Sequence, residues 1–269
     1  MGTYPPPAPF VVATDIEGTE WLDEALAPLG HGPPLVGGIV PSGFEAYARV
    51  LHPARRFFGP SIEQSVPLRW SEIAAARGKT VHPEMRLEAL IDNVDGHDYE
   101  HWTAISAGGG EWFPPFEWLE ADEGHELLSL LHSCTEASEH AWFLLWDGYG
   151  DLGPGITTAA RAFIHPDRSG RPLPPELAGR TLAFRDYLVF RAPLDALVGW
   201  FLWRFEGPNY LWPADRAWIV ATEIDGFSTY VGGSRPCIEK VLASPLLEAL
   251  PSALDHRFDG WGDPINGPA

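Results

Sequence analysis

Two stretches of the chain carry nearly the same eight residues, VVATDIEG at 11–18 and IVATEIDG at 219–226. Each holds two carboxylates two positions apart: Asp15 and Glu17 in the first, Glu223 and Asp225 in the second. Alternate side chains of a strand share a face. Each acidic pair would therefore project together, with Val12, Thr14 and Ile16, or Val220, Thr222 and Ile224, on the reverse. Were the two strands neighbours, four carboxylates would converge. Such a cluster suits hard cations such as Ca²⁺ or Mg²⁺, which take oxygen ligands, or a close carboxyl pair that shares a proton and serves as acid and base. Neither copy has the DxDxDG spacing of a calcium loop. An alternating strand with an acidic outer face and a glycine turn is also a common structural arrangement. On that structural reading the repeat expresses internal pseudo-symmetry, with both octapeptides as core strands in matching surroundings.

The remaining chemistry-bearing residues are sparser. HDYEH places His97 and His101 four apart, a spacing that holds zinc on a helix. The surrounding NVDGHDYEHWT lacks helical periodicity, and no third ligand follows at a familiar distance. No GxSxG, SxxK or GxxxxGK[ST] occurs, and the Gly-rich SAGGGEW at 106–112 has neither a lysine nor a strand–helix setting. Cys134 and Cys237 form no CxxC pair and no disulfide framework, so they read as reduced thiols. No cofactor is expected beyond the Ca²⁺ or Mg²⁺ that the carboxylates would hold.

Tryptophan is unusually frequent, with 12 in 269 residues. EWFPPFEW sets Trp112 and Trp118 around a proline pair, and Trp212 belongs to a second aromatic run. Rings beside carboxylates can line a sugar site or anchor a protein interface, where Trp is favoured at hot spots. Trp112, Trp118 and Trp212 are the candidate binding residues.

Charge narrows the partners. The sequence has 18 Lys and Arg against 37 Asp and Glu, a formal charge of −19. That field repels phosphate backbones and anionic lipid, so neither nucleic acid nor a membrane surface is an expected partner. It attracts a basic protein or a cation. The first residues lack a basic segment followed by an apolar one, and no apolar run approaches the ~20 residues that cross a bilayer. A cytoplasmic location is expected.

Positioning these residues requires both strands and helices. FVVATDI, FEAYARVL, AWFLLW, RDYLVFRAP, DRAWIVATEID and STYVGGS are short, apolar and β-branched or aromatic, which predicts strands. The spacing of TEWLDEALAPLG, WSEIAAARGK, HPEMRLEALID and DEGHELLSLLHS predicts helices, with Thr19 and Ser71 as caps of the first two. Ser234 caps RPCIEKVLA, and Ser244-Pro245 opens a helix over LLEALPSAL. Helix and strand mix without a βαβ rhythm. The expected fold is a single α+β domain over 1–269, with helices packed on a mixed or antiparallel central sheet. Residues 1–9 read as a loose arm, 151–180 as a mobile loop or inter-lobe linker, and 258–269 as a frayed tail.

At VPSGFEAYARVLHPA (40–54), WDGYG (146–150) and WPADRAWIVATEIDGFSTYVGGS (212–234), the chain resembles a family of uncharacterised actinomycete-type bacterial proteins, from which no activity carries over. In overall character and in a late strand–helix unit it is also similar to SMI1/KNR4-type immunity proteins, acidic α+β proteins that bind toxins. Their motifs are not matched here. The resemblance implies a binding role. The leading expectation is a non-catalytic, acidic, cytoplasmic binding protein that masks a basic partner, as immunity proteins do. The alternative is a carboxylate- or metal-dependent hydrolase acting on a polar small molecule or glycan through Asp15, Glu17, Glu223 and Asp225.

Overall fold

The computed structural model describes residues 11–14, 16–26, 34–59, 62–91, 111–113, 115, 118–146, 148, 161–164, 185–197, 207–224, 226–258 and 262–267. The strands are β1 (Val11–Val12), β2 (Ala46–Leu51), β3 (Ala54–Phe57), β4 (Ser65–Leu68), β5 (Glu111–Phe113), β6 (Ala141–Trp146), β7 (Arg161–Ile164), β8 (Arg185–Ala192), β9 (Tyr210–Pro213), β10 (Trp218–Thr222), β11 (Ser228–Gly233) and β12 (Ala249–Ser252). The helices are α1 (Glu20–Ala25), α2 (Trp70–Arg77), α3 (Leu87–Leu90), α4 (Ala121–His132) and α5 (Arg235–Ala243). Nine strands form one antiparallel sheet in the order β1-β8-β6-β9-β10-β11-β2-β12, with β7 also pairing β8. A small second sheet runs β4-β3-β5. The fold is α+β, an antiparallel sheet with helices packed against it.

The apolar runs explain this architecture. AWFLLW has no polar alternation because both of its faces are covered. Ala141, Phe143 and Leu145 enter one core, and Leu144 enters the other with Trp142 and Trp146 packed against it. Along β10, Trp218 and Val220 face the first core, Ile219 and Ala221 the second. The first core is closed by α4 (Leu127, Leu128, Leu131) and α5 (Ile238, Val241); the second by Leu22 of α1 and by Val36, Ile39 and Val40. A third cluster gathers Trp70, Ile73 and Ala74 of α2 with Leu87, Leu90, Leu51 and Ala54.

Several elements depart from the sequence expectation. Ser71 does not cap α2. Instead the Glu248 carboxylate accepts the backbone N–H groups of Trp70 (2.6 Å) and Ser71 (2.7 Å), reaching the helix start from the far end of the chain. This satisfies orphan donors and places a negative charge at the positive helix end. Thr19 makes no capping bond; its hydroxyl donates to the Ile16 carbonyl. Ser234 does cap α5, accepting from the Cys237 N–H. The segment after Ser244 is not a helix. Residues 249–252 form β12, which pairs with β2 at the end of the sheet, where Pro251 can be tolerated. Within 151–180, residues 161–164 form β7 rather than loop; the rest of that span, like residues 1–9, lies outside the described residues.

The C-terminal segment is anchored rather than frayed. Asp263, with 9 % of its surface exposed, accepts from the backbone N–H groups of Arg86 (3.0 Å), Ile265 (2.9 Å) and Asn266 (2.6 Å), and lies 2.9 Å from His82 Nε2. Asn266 completes the seam by exchanging two hydrogen bonds of 2.8 Å with the Thr80 backbone. Burial raises the Asp263 carboxyl, but the bonds from Asn266, Arg86 and Ile265 outweigh it and hold it below the ordinary aspartate range. A depressed carboxyl stabilises the fold fully above its unfolded pKa, about 3.9, and the contribution disappears as pH falls through the lower folded value. Urea titrations of Asp263→Asn should show a stability loss of about 1–3 kcal/mol at pH 7 that narrows below pH ~4.

Candidate functional site

The octapeptides do not meet. β8, β6 and β9 lie between β1 and β10, so their axes are about 19 Å apart at ~4.8 Å per strand. Their surroundings differ as well. β1 is a two-residue strand on β8 that leads into α1, whereas β10 is central, paired with β9 and β11, and leads into a hairpin. The pseudo-symmetric expectation is therefore corrected. The regular strands end at Val12 and Thr222, before the acids. Glu17 is exposed in a turn, where its carbonyl accepts from Trp142 Nε1 (3.0 Å) and Arg191 Nη2 (3.1 Å). Glu223 is buried. Asp15 and Asp225 lie outside the described residues, as do His97 and His101. Among the described residues, no group of three or more His, Cys, Asp or Glu side chains could hold a metal ion, and no helix is long and apolar enough to cross a membrane.

Glu223 lines a narrow polar pocket with Arg49, Trp70, Arg86, Glu88, Ser228 and Tyr230. Arg49 projects from the middle of β2 and is 4 % exposed; Arg86, just before α3, is 2 % exposed. Arg49 donates from Nε to Ser228 Oγ (2.9 Å) and from Nη1 to the Met85 carbonyl (2.8 Å), and its guanidinium lies 5.2 Å from the Trp70 ring centre. Burial, more than the charges around it, lowers the Arg49 pKa to about 10, which leaves it ionised at neutral pH. The pocket holds about 50 Å³, space for a few water molecules. Arg49 joins the segment before α3 to the sheet, and Arg86 donates to the Arg257 carbonyl, through charge-assisted bonds, the stronger class of hydrogen bond.

The candidate tryptophans separate. Trp212 is 1 % exposed on β9, edge-on to Trp21 at 5.7 Å, and is part of the second core. A ring in that position offers no surface to a ligand, which corrects its place among the binding residues. Trp118 is half-buried beside a narrow crevice with Leu127, Leu211 and Val220. At the same crevice Thr222 and Thr229 join through their hydroxyls (2.8 Å), and Thr229 reaches the buried His52 (2.9 Å). The Trp112 backbone sits on β5 opposite Arg56; its side chain lies outside the described residues.

A wider concavity lies elsewhere, between the start of β2, α5 and residues 251–255. It is an open groove of about 640 Å³. Ile238 and Leu242, one helical turn apart, line it with Pro251 and Leu254. Four exposed charges surround this apolar lining: Glu45, Glu239 and Asp255 against Arg235. Glu45 accepts the first backbone N–H of α5, that of Arg235, at 3.0 Å. Glu239 and Asp255 form no ion pair among the described residues. Sequence reasoning misses this groove because Ser244-Pro245 predicts a helix where one wall stands. The available signal was the amphipathic pattern of RPCIEKVLA, with Glu239 beside Ile238.

Comparison with known proteins returns no matching family model, no significant curated relative and no significant solved structure.

The buried arginine network makes a measurable commitment. Arg49→Met should leave Ser228 Oγ and the Met85 carbonyl without their donor. The expected loss is about 2–4 kcal/mol in urea denaturation, with Arg49→Lys recovering only part of it.

Proposed function

We propose that the protein is a non-catalytic, cytoplasmic binding protein whose acidic groove holds a basic, partly apolar segment of a protein partner. The observation that carries this reading is the pair of exposed carboxylates, Glu239 and Asp255, which form no ion pair among the described residues, above a lining of Leu242, Pro251 and Leu254. Exposed ion pairs contribute only ~0.2–1 kcal/mol each, so apolar contact with the lining supplies most of the affinity. The carboxylates select sign and speed encounter. The net charge of −19 adds long-range attraction for the same class of partner. The likeness to toxin-masking immunity proteins agrees in direction. The hydrolase alternative has no comparable support: the strands that lead to its four carboxylates are four places apart, and the pocket at Glu223 has space only for a few waters.

A short synthetic peptide of alternating Lys and Leu is a suitable probe, followed by calorimetry and by chemical-shift changes. Binding at low salt should weaken as salt screens the charges. The double variant Glu239→Lys/Asp255→Lys should lose tenfold or more in affinity, about 1.4 kcal/mol. An equal charge reversal at exposed sites on and beyond α4, Asp122→Lys/Glu139→Lys, should lose much less. Equal losses from the two variants would reduce the attraction to net charge and remove the groove from the account.

A further inference from the structure

The chain has only two cysteines, roughly a hundred positions apart, and the fold brings them together. Cys134 lies just past the C-terminus of α4, with its backbone N–H on the Leu131 carbonyl and its thiol 3.3 Å from the Leu130 carbonyl. Cys237 sits in the first turn of α5, 2 % exposed. Across the α4–α5 junction Cys134 packs against the first core, which contains Cys237, and the Cys134 thiol acts on that of Cys237. Lys240, one turn beyond Cys237, extends its ammonium to 2.8 Å from Ser133 Oγ and 3.9 Å from Cys134 Sγ. A half-exposed thiol beside a cation, packed on a core that holds a second and buried thiol, matches the arrangement of an attacking and a resolving cysteine.

We propose that Cys134 and Cys237 are a modification site, a dithiol that a peroxide closes to an intramolecular disulfide with Cys134 reacting first. The Lys240 ammonium stands 3.9 Å from the attacking sulfur and places a positive charge beside the reacting centre. That sulfur attacks one peroxide oxygen; the S–O bond forms, the O–O bond breaks, and the departing hydroxide takes a proton and leaves as water. Cys237 then attacks the sulfur of the resulting sulfenic acid. The S–S bond forms, the S–O bond breaks, and the Cys237 proton leaves with the hydroxyl as a second water. Two thiols and one peroxide thus become one disulfide and two waters, with two electrons passing from sulfur to oxygen. Cys237 is suited to the second step. Burial first, and then contact with Cys134, raises its pKa, so it stays protonated and sheltered until Cys134 has been oxidised. The proposal is independent of the groove reading.

The test is brief exposure of the full-length protein to hydrogen peroxide, followed by alkylation and peptide mass spectrometry. The expected product is a monomer about 2 Da lighter than the reduced chain, with a peptide linking Cys134 to Cys237 that a thiol reductant reopens. In Cys237→Ala, Cys134 should accumulate as a sulfenic acid trapped by dimedone. In Cys134→Ser, Cys237 should stay reduced under the same exposure. Lys240→Met should slow closure about threefold or more. The proposal is overturned if both thiols of the wild-type chain remain alkylatable, or if Cys134 passes to sulfinic acid while Cys237 stays free. Unchanged closure in Lys240→Met would overturn the role given to that lysine.

Discussion

Consecutive residues of β6, β8 and β10 enter opposite cores, so along these strands the central sheet presents neither face to water. Each fully buried Leu, Ile, Val or Phe side chain stabilises the fold by about 1.5–3 kcal/mol relative to exposure. That gain exists only if both faces are covered. Helices α4 and α5 must therefore close one side, and α1 with residues 36–40 the other. The stacked Phe143 and Phe190 on neighbouring strands, with ring centres 4.9 Å apart, show how closely the first of these cores is packed.

Double coverage also dictates where charge can sit. A carboxylate in the middle of a strand would be buried in one core or the other, at a cost no neighbouring apolar group could offset. The acids of both octapeptides accordingly follow the last strand residue. Their repetition reflects two strands that leave the same antiparallel sheet under the same constraint, one into a helix and one into a hairpin. Arg49 is the informative exception. It stands in the middle of β2, and it is accommodated by Ser228 Oγ, backbone carbonyls and the Trp70 ring rather than by solvent.

Legibility in the sequence follows the range of the interactions. AWFLLW, RDYLVFRAP and DRAWIVATEID announce their strands because two-sided burial leaves a continuous apolar run. RPCIEKVLA announces a capped helix because Ser234 acts within three residues. The anchored C-terminal segment was not legible, since Asp263 and Asn266 find their partners around residues 80–86, and nothing in FDGWGDPINGPA marks that destination. β12 is hidden because Ser-Pro is a good helix opening in isolation, whereas pairing with β2 decides the conformation in context. The Glu248 cap on α2 is hidden for the same reason. Strand order is the extreme case. The similarity of two octapeptides says nothing of the three strands between them, so it marks two strands without marking their separation.

Helix α5 shows how one short element can serve several surfaces at once. Ile238 and Val241 belong to the first core, which fixes the rotation of the helix against the sheet. That rotation leaves Glu239 at the rim of the groove and brings Leu242 into its wall. It also turns Cys237 toward Cys134 and Lys240 toward Ser133. The Ser234 cap and the Glu45 carboxylate both act on the first turn, holding the helix start from inside and from the edge of β2. Groove and dithiol share no side chain, yet both depend on that single placement. A substitution that rotated α5 would disturb the two together. Changes at Glu239 or Cys134 act on one and leave the other in place.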